Sequence, residues 1–109
     1  MSEKEFVAVA RDGDLMENGQ KVVAVAGKSV LLCRSAGQIF AVENMCSHEF
    51  QPLQGGTLAH CILSCPLHGA EFDLKTGEPL GPPAFDPLLT FPIRVRDGMI
   101  EVRKTPNSL

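Results

Sequence analysis

Turn-forming pairs recur along this chain at intervals too short to hold a sequence of helices. Asp12-Gly13, Asn18-Gly19, Gly27-Lys28, Ala36-Gly37, Gly55-Gly56, Thr76-Gly77 and Asp97-Gly98 each place a residue suited to tight reversal between apolar stretches. The stretches themselves are short and rich in Val, Ile and Phe, covering residues 6–10, 21–26, 29–34, 38–42, 62–64, 71–74, 89–96 and 99–103. None sustains a helical period over three turns. This rhythm predicts an all-β chain, an antiparallel sandwich or barrel, because each short run can bury one face only by pairing with its neighbours.

Two clusters of a different kind interrupt the pattern. Cys46-Ser47-His48 and Cys65-Pro66-Leu67-His68 read as C-x-H, sixteen residues, then C-x-x-H. Each cluster offers one thiolate and one imidazole, so the two loops are expected to meet at a shared inorganic centre. Two chemistries accept that donor set: tetrahedral structural zinc, or a [2Fe-2S] centre with both His on one iron. Zinc sites generally space their first ligands by two to four residues, and C-x-H is tighter.

The iron-sulfur alternative explains the residue types. An oxidised [2Fe-2S] core carries about two positive charges, so two thiolates bring it near neutrality, whereas four leave it anionic and resistant to reduction. Neutral imidazole therefore raises the potential, to roughly −150 to +300 mV against about −400 mV for plant-type ferredoxins. In this reading each Cys reaches the inner iron and each His the outer, nearer solvent. His60 has no partner at ligand spacing and is expected to be a non-ligand.

Composition narrows the class. At 109 residues with 44% hydrophobic content, the chain suits one compact domain and is small for an enzyme with its own substrate cavity. A net charge of −3 and a pI near 5.5 give no basic footprint for nucleic acid and permit a basic docking partner. Met1-Ser2-Glu3-Lys4-Glu5 leads into no signal-like apolar region, and no apolar run approaches a membrane span, so no membrane association and a cytoplasmic location are expected. The remaining cysteines, Cys33 and Cys61, lie in apolar runs and are expected as buried free thiols. Residues 1–42 with 88–104 read as a β base, residues 43–87 as an inserted cluster-binding subdomain, and residues 105–109 as a tail.

The motifs taken together carry a resemblance. Met45-Cys46-Ser47-His48-Glu49, Gly55-Gly56, Cys65-Pro66-Leu67-His68-Gly69-Ala70-Glu71-Phe72-Asp73, Thr76-Gly77 and Gly81-Pro82-Pro83-Ala84 resemble the Rieske-type ferredoxins of bacterial aromatic-ring-hydroxylating dioxygenase systems. The resemblance implies the Rieske fold and one [2Fe-2S] cluster, with Cys46 and Cys65 on the inner iron and His48 and His68 on the outer. It also implies Pro82-Pro83 as a loop covering one side of the cluster. Gly69 is expected to let backbone approach the cluster, and Gly55-Gly56 to make a reversal between the loops.

The cytochrome bc branch of the family is similar but differs at four positions. It has two further cysteines that bridge the ligand loops, and Ser and Tyr hydroxyls that donate to cluster sulfurs; here those positions are Gln51, Leu67, Ala70 and Phe72. Donors to the sulfurs stabilise the charge gained on reduction, so their loss places the centre at the low end of the range, near about −150 mV.

The resemblance implies a soluble, monomeric one-electron carrier between a flavin-containing, NAD(P)H-dependent ferredoxin reductase and a terminal Rieske oxygenase, without catalysis of its own. Two alternatives stay open on the residues: an electron-transfer subunit fixed in a larger oxidoreductase, and a structural zinc module. A terminal oxygenase is excluded, because a mononuclear 2-His-1-carboxylate site needs more histidine than His60 alone supplies. Glu49 and Glu71 are candidates for an acidic docking rim, and Phe50, Leu53 and Leu67 for shielding the cluster or making an apolar contact around it.

Overall fold

A computed structural model describes residues 5–45, 52–66, 69–81 and 86–107. Among the described residues ten strands run β1 (Phe6–Arg11), β2 (Gln20–Val25), β3 (Lys28–Ser35), β4 (Gln38–Glu43), β5 (Thr57–Ala59), β6 (Ile62–Ser64), β7 (Glu71–Asp73), β8 (Thr90–Phe91), β9 (Ile93–Arg96) and β10 (Met99–Arg103). One 3-10 turn, Asp12–Asp14, follows β1. The strands form three antiparallel sheets, ordered β1-β10-β9, β2-β3-β4-β8 and β5-β6-β7.

The sheet β2-β3-β4-β8 is the middle layer, and β3 shows why. Successive side chains of a strand point to opposite faces. Val30 and Leu32 join one apolar cluster with Val23, Val25, Ile100 and Val102, while Leu31 and Cys33 join another with Leu58, Leu63, Phe72 and Leu88. All four β3 residues are completely buried. The continuous apolar run 30–33 is thus a strand covered on both sides, with β1-β10-β9 packed on one face and β5-β6-β7 on the other.

The all-β antiparallel expectation holds, and two local departures have physical causes. The run 89–96 is two strands, because Pro92 lacks the N–H a ladder needs: β8 pairs with β4 and β9 with β10, so the chain changes sheets there. The strand β5 was not expected. It holds a single buried apolar residue, Leu58, too little alternation to read, and it pairs with β6 through Thr57–Ser64, Leu58–Leu63 and Ala59–Ile62. Its turn carries His60 and Cys61, both at positive φ (53° and 64°), where glycine or asparagine is the usual sign of a reversal.

Side chains also join the layers. Arg34 on β3 donates from Nε to the Leu15 carbonyl (2.6 Å) and pairs with the Asp12 carboxylate (2.5 Å), fixing the 3-10 turn against the middle sheet. On the outer face of β1-β10-β9, Arg94 pairs with Glu101 (2.5 Å) and lies 4.2 Å from the centre of the Phe6 ring. Among the described residues no helix is long and apolar enough to cross a membrane.

Candidate metal centre

Of the residues expected to hold the cluster, Cys65 is described; Cys46, His48 and His68 lie outside the described residues, as do Glu49, Phe50, Gln51, Leu67 and Pro82-Pro83. Cys65 follows β6 directly. The strand ends at Ser64, and the Cys65 N–H donates to the Ala70 carbonyl (2.7 Å) while the Cys65 carbonyl accepts from the Gly69 N–H (3.1 Å). These two bonds close the second ligand loop at its base. Gly69 closes it at φ 71°, a left-handed conformation that a side chain disfavours. Its place in the motif therefore follows from turn geometry.

Cys65 is buried, at 3% exposure, and belongs to the same apolar cluster as Leu53, Leu63, Ala70, Phe72 and Leu74. Water is therefore kept from the Cys65 side chain, and among the described residues it makes no disulfide. An unpaired thiol in an apolar setting at the mouth of a backbone-closed loop suits a thiolate ligand to a near-neutral centre. Among the described residues no three His, Cys, Asp or Glu side chains form a ligand group. Leu53 is fully buried in that cluster, so it shields Cys65 from within and offers no outward apolar contact.

Ala70 and Phe72 are likewise completely buried in this cluster. No hydroxyl stands at either place, and no buried side-chain polar atom among the described residues is left without a partner. Glu71 points the opposite way from Phe72. It is exposed and shares with Thr57, Ala59, His60, Ile62 and Ser64 a shallow groove of about 170 Å³ on the outer face of β5-β6-β7.

Cys33 and Cys61 are buried and free, as expected. Burial pushes the Cys33 thiol up from its ordinary 9.0 to about 12, so it stays protonated at neutral pH and is a core residue. Cys61 sits in the β5–β6 turn, one residue ahead of the strand expected to hold it.

Two residues that bond the chain flanking the segment expected to carry Cys46 and His48 as ligands were not legible beforehand. Asn44 Oδ1 accepts from the backbone N–H of Leu53 (3.0 Å) and Gln54 (3.1 Å), bridging the two ends of the segment carrying Cys46 and His48. Gln20 takes the next two residues: its Oε1 accepts from the Gly55 N–H (2.9 Å) and its Nε2 donates to the Gly56 carbonyl (2.8 Å). The only sequence signal was an Asn at the end of a β run, a residue type that commonly bonds nearby backbone.

The model of the Rieske [2Fe-2S] domain matches residues 5–92. The ferredoxin subunit of anthranilate 1,2-dioxygenase from Burkholderia cepacia is 33% identical over 82% of this chain and 83% of its own. The ferredoxin of carbazole 1,9a-dioxygenase from Nocardioides aromaticivorans IC177 superposes with a TM-score of 0.87 at 28% identity, over 92% of this chain and 98% of that one. In a complex of reduced oxygenase and oxidized ferredoxin of carbazole 1,9a-dioxygenase, a chain matched over its full length superposes with a TM-score of 0.90 at 27% identity, over 98% of this chain. The zinc alternative gives way to one [2Fe-2S] cluster. The chain belongs to the Rieske [2Fe-2S] family and, within it, to the ferredoxin components of aromatic dioxygenase systems, electron carriers that leave the chemistry on substrate to another protein.

Proposed function

We propose that Cys46 and Cys65 hold the inner iron and His48 and His68 the outer iron of the cluster. We further propose that the protein passes single electrons from a flavin-containing, NAD(P)H-dependent ferredoxin reductase to a terminal Rieske oxygenase. The observation that carries the ligand reading is Cys65: a buried, unpaired thiol among apolar neighbours, at the base of a loop closed by its own N–H and C=O. When bound, the cluster supplies a site that gains and loses one electron. The chain's part is to hold the loops and exclude water. Leu53, Leu63, Phe72 and Leu74 cover the Cys65 side, and Asn44 and Gln20 fix the neighbouring segment.

The division of the chain follows from the same reading. Residues 43–87 act as the cluster-binding subdomain, which the sheet β5-β6-β7 supports by falling wholly within that range, and residues 1–42 with 88–104 act as the base. The protein works as a monomer in the cytoplasm, where a free reductase and oxygenase can each meet it in turn. The likeness to a ferredoxin solved with its oxygenase supports the acceptor, and exposed Glu71 suits a basic rim on a partner.

Stopped-flow mixing of the loaded protein with reductase and oxygenase components tests this reading. One electron per chain should pass in each direction, at rates that fall as salt rises, because a small polar-rimmed encounter is steered by charge and screened by ions. A loaded protein that no reductase reduces and no oxygenase oxidises would sink the shuttle.

A further inference from the structure

Four successive residues, 53 to 56, each commit a backbone group to one of two side-chain amides, Gln20 at the start of β2 and Asn44 just past the end of β4. Leu53 and Gln54 donate to Asn44 Oδ1, Gly55 donates to Gln20 Oε1, and the Gly56 carbonyl accepts from Gln20 Nε2. Asn44 is itself held at the end of β4. Its N–H donates to the Ser29 carbonyl (3.0 Å) and its Nδ2 to the Ser29 hydroxyl (3.2 Å), on the adjoining strand β3. An amide both donates and accepts, and here Asn44 and Gln20 each use both functions.

Asn44 stands two residues before Cys46, and the bonds from Leu53 and Gln54 return the chain to it beyond His48. The chain on either side of that segment is therefore tied to one side chain, just past the end of β4 and bonded to Ser29 of β3. Tying the ends of a loop removes most of its freedom before any ligand binds. Ligands set on such a loop keep their geometry only as well as the supporting bonds hold.

We propose that Asn44 is a positioning residue for the cluster, acting through the loop that bears Cys46 and His48, with Gln20 extending the same clasp. This rests on Cys46 and His48 being ligands. Removing the clasp should leave the β layers intact and loosen the two ligands, so the cluster is lost faster and its electronic surroundings change.

The test compares Asn44→Ala, Asn44→Asp, Gln20→Ala and Glu17→Ala as loaded proteins. Glu17 is the control, since its carboxylate accepts from the Ala36 (2.7 Å) and Gly37 (3.0 Å) N–H groups at the other end of β3, the same number of backbone bonds away from the loop. Asn44→Ala should bleach about tenfold faster at fixed temperature and shift the paramagnetic resonance of the reduced cluster. Asn44→Asp keeps the acceptor for Leu53 and Gln54, so its bleaching rate should return to within about twofold of the parent, while its added charge lowers the midpoint potential. Gln20→Ala should move in the same direction as Asn44→Ala, by less, and serves as the test if Asn44→Ala does not fold. Glu17→Ala should lower the melting temperature and leave bleaching and resonance unchanged. A clasp variant that folds with the parent's bleaching rate and spectrum, or a Glu17→Ala effect as large, overturns the positioning role. A parent protein lacking iron and sulfide, or a His48→Ala variant that keeps its cluster, overturns instead the ligand reading beneath it.

Discussion

Ser35 and Cys61 are bonded to each other twice: the Ser35 hydroxyl accepts from the Cys61 N–H at 2.9 Å, and the Cys61 thiol donates to the Ser35 carbonyl at 3.8 Å. Ser35 ends β3 in the middle sheet and is completely buried, and Cys61 lies in the β5–β6 turn at φ 64°. The Cys61 carbonyl also accepts from Leu74 N–H (2.9 Å), so this turn is tied both to the middle sheet and to the chain beyond β7. Without the Ser35 hydroxyl the Cys61 N–H is left buried and unpaired, at a cost of about 1–3 kcal/mol. Ser35→Ala should lower the melting temperature of the loaded protein by roughly 4 °C or more, and Cys61→Ala, which removes only a weak donor, by less. Equal melting of Ser35→Ala and the parent would mean the bond does not join the layers energetically.

A second expectation concerns Gly56. A Cβ there would stand 1.9 Å from the Ser64 carbonyl oxygen, closer than any real contact, and that oxygen belongs to β6 immediately before Cys65. The backbone must move, and it moves against the strand that leads into Cys65, the proposed ligand. Gly56→Ala should therefore lower iron and sulfide content or prevent folding, while Gly13→Ala, with open space and no positive φ, should match the parent. Full cluster content in Gly56→Ala would contradict the close approach.

Cys33 gives a stability effect at alkaline pH. Its thiol is raised from 9.0 to about 12 by burial, so between those values the unfolded chain has lost a proton that the folded chain keeps. The unfolded state then binds fewer protons, and stability falls as pH rises, by about 1.4 kcal/mol per pH unit from this group within that window. Below pH 9 the contribution is fully present. Chemical denaturation at pH 8, 9, 10 and 11 should show that decline, and it should be shallower in Cys33→Ala. Parallel declines in both proteins would show that Cys33 ionises as readily folded as unfolded.

Much of this was readable from the residues, and the unread parts share a cause. The run Val30-Leu31-Leu32-Cys33 announced a strand because apolar β-formers between Gly27 and Gly37 have few other uses, and its lack of alternation corresponds to burial on both faces. The ligand pattern C-x-H with C-x-x-H pointed to the family because few chemistries need two thiols and two imidazoles at that spacing. Asn44 and Gln20 were missed because a polar amide in a strand-end segment looks like ordinary surface. Its partners, Gly55 and Gly56 for Gln20, lie some 35 residues away and are set by packing, not by local pattern. The strand β5 was missed because its partner β6, rather than its own sequence, makes it a strand.

Histidine replacements separate ligands from bystander. His60 is exposed at the tip of the β5–β6 hairpin, where an imidazole has no structural demand beyond a tolerated positive φ. His60→Ala should keep about two iron and two sulfide per chain, while His48→Ala or His68→Ala should lose the cluster or bind it unstably. Cluster loss in His60→Ala would show that the ligand set is incomplete.

The last expectation tests why the centre should lie at the low end of its range. Ala70 and Phe72 are fully buried in the apolar cluster that includes Cys65, and neither offers a donor. Electron gain increases the negative charge on the sulfurs, and an apolar wall answers that charge poorly, whereas a hydroxyl proton aimed at a sulfur answers it well. Ala70→Ser and Phe72→Tyr should each raise the midpoint potential if the new hydroxyl donates to the centre. A buried hydroxyl with no acceptor costs about 1–3 kcal/mol instead, so an unpaired one would appear as lower melting with an unchanged potential. Voltammetry and melting of the two loaded variants distinguish these results. A rise with little loss of stability assigns the low potential to missing donors, and a parent value already near the positive end of the Rieske range would refute that cause.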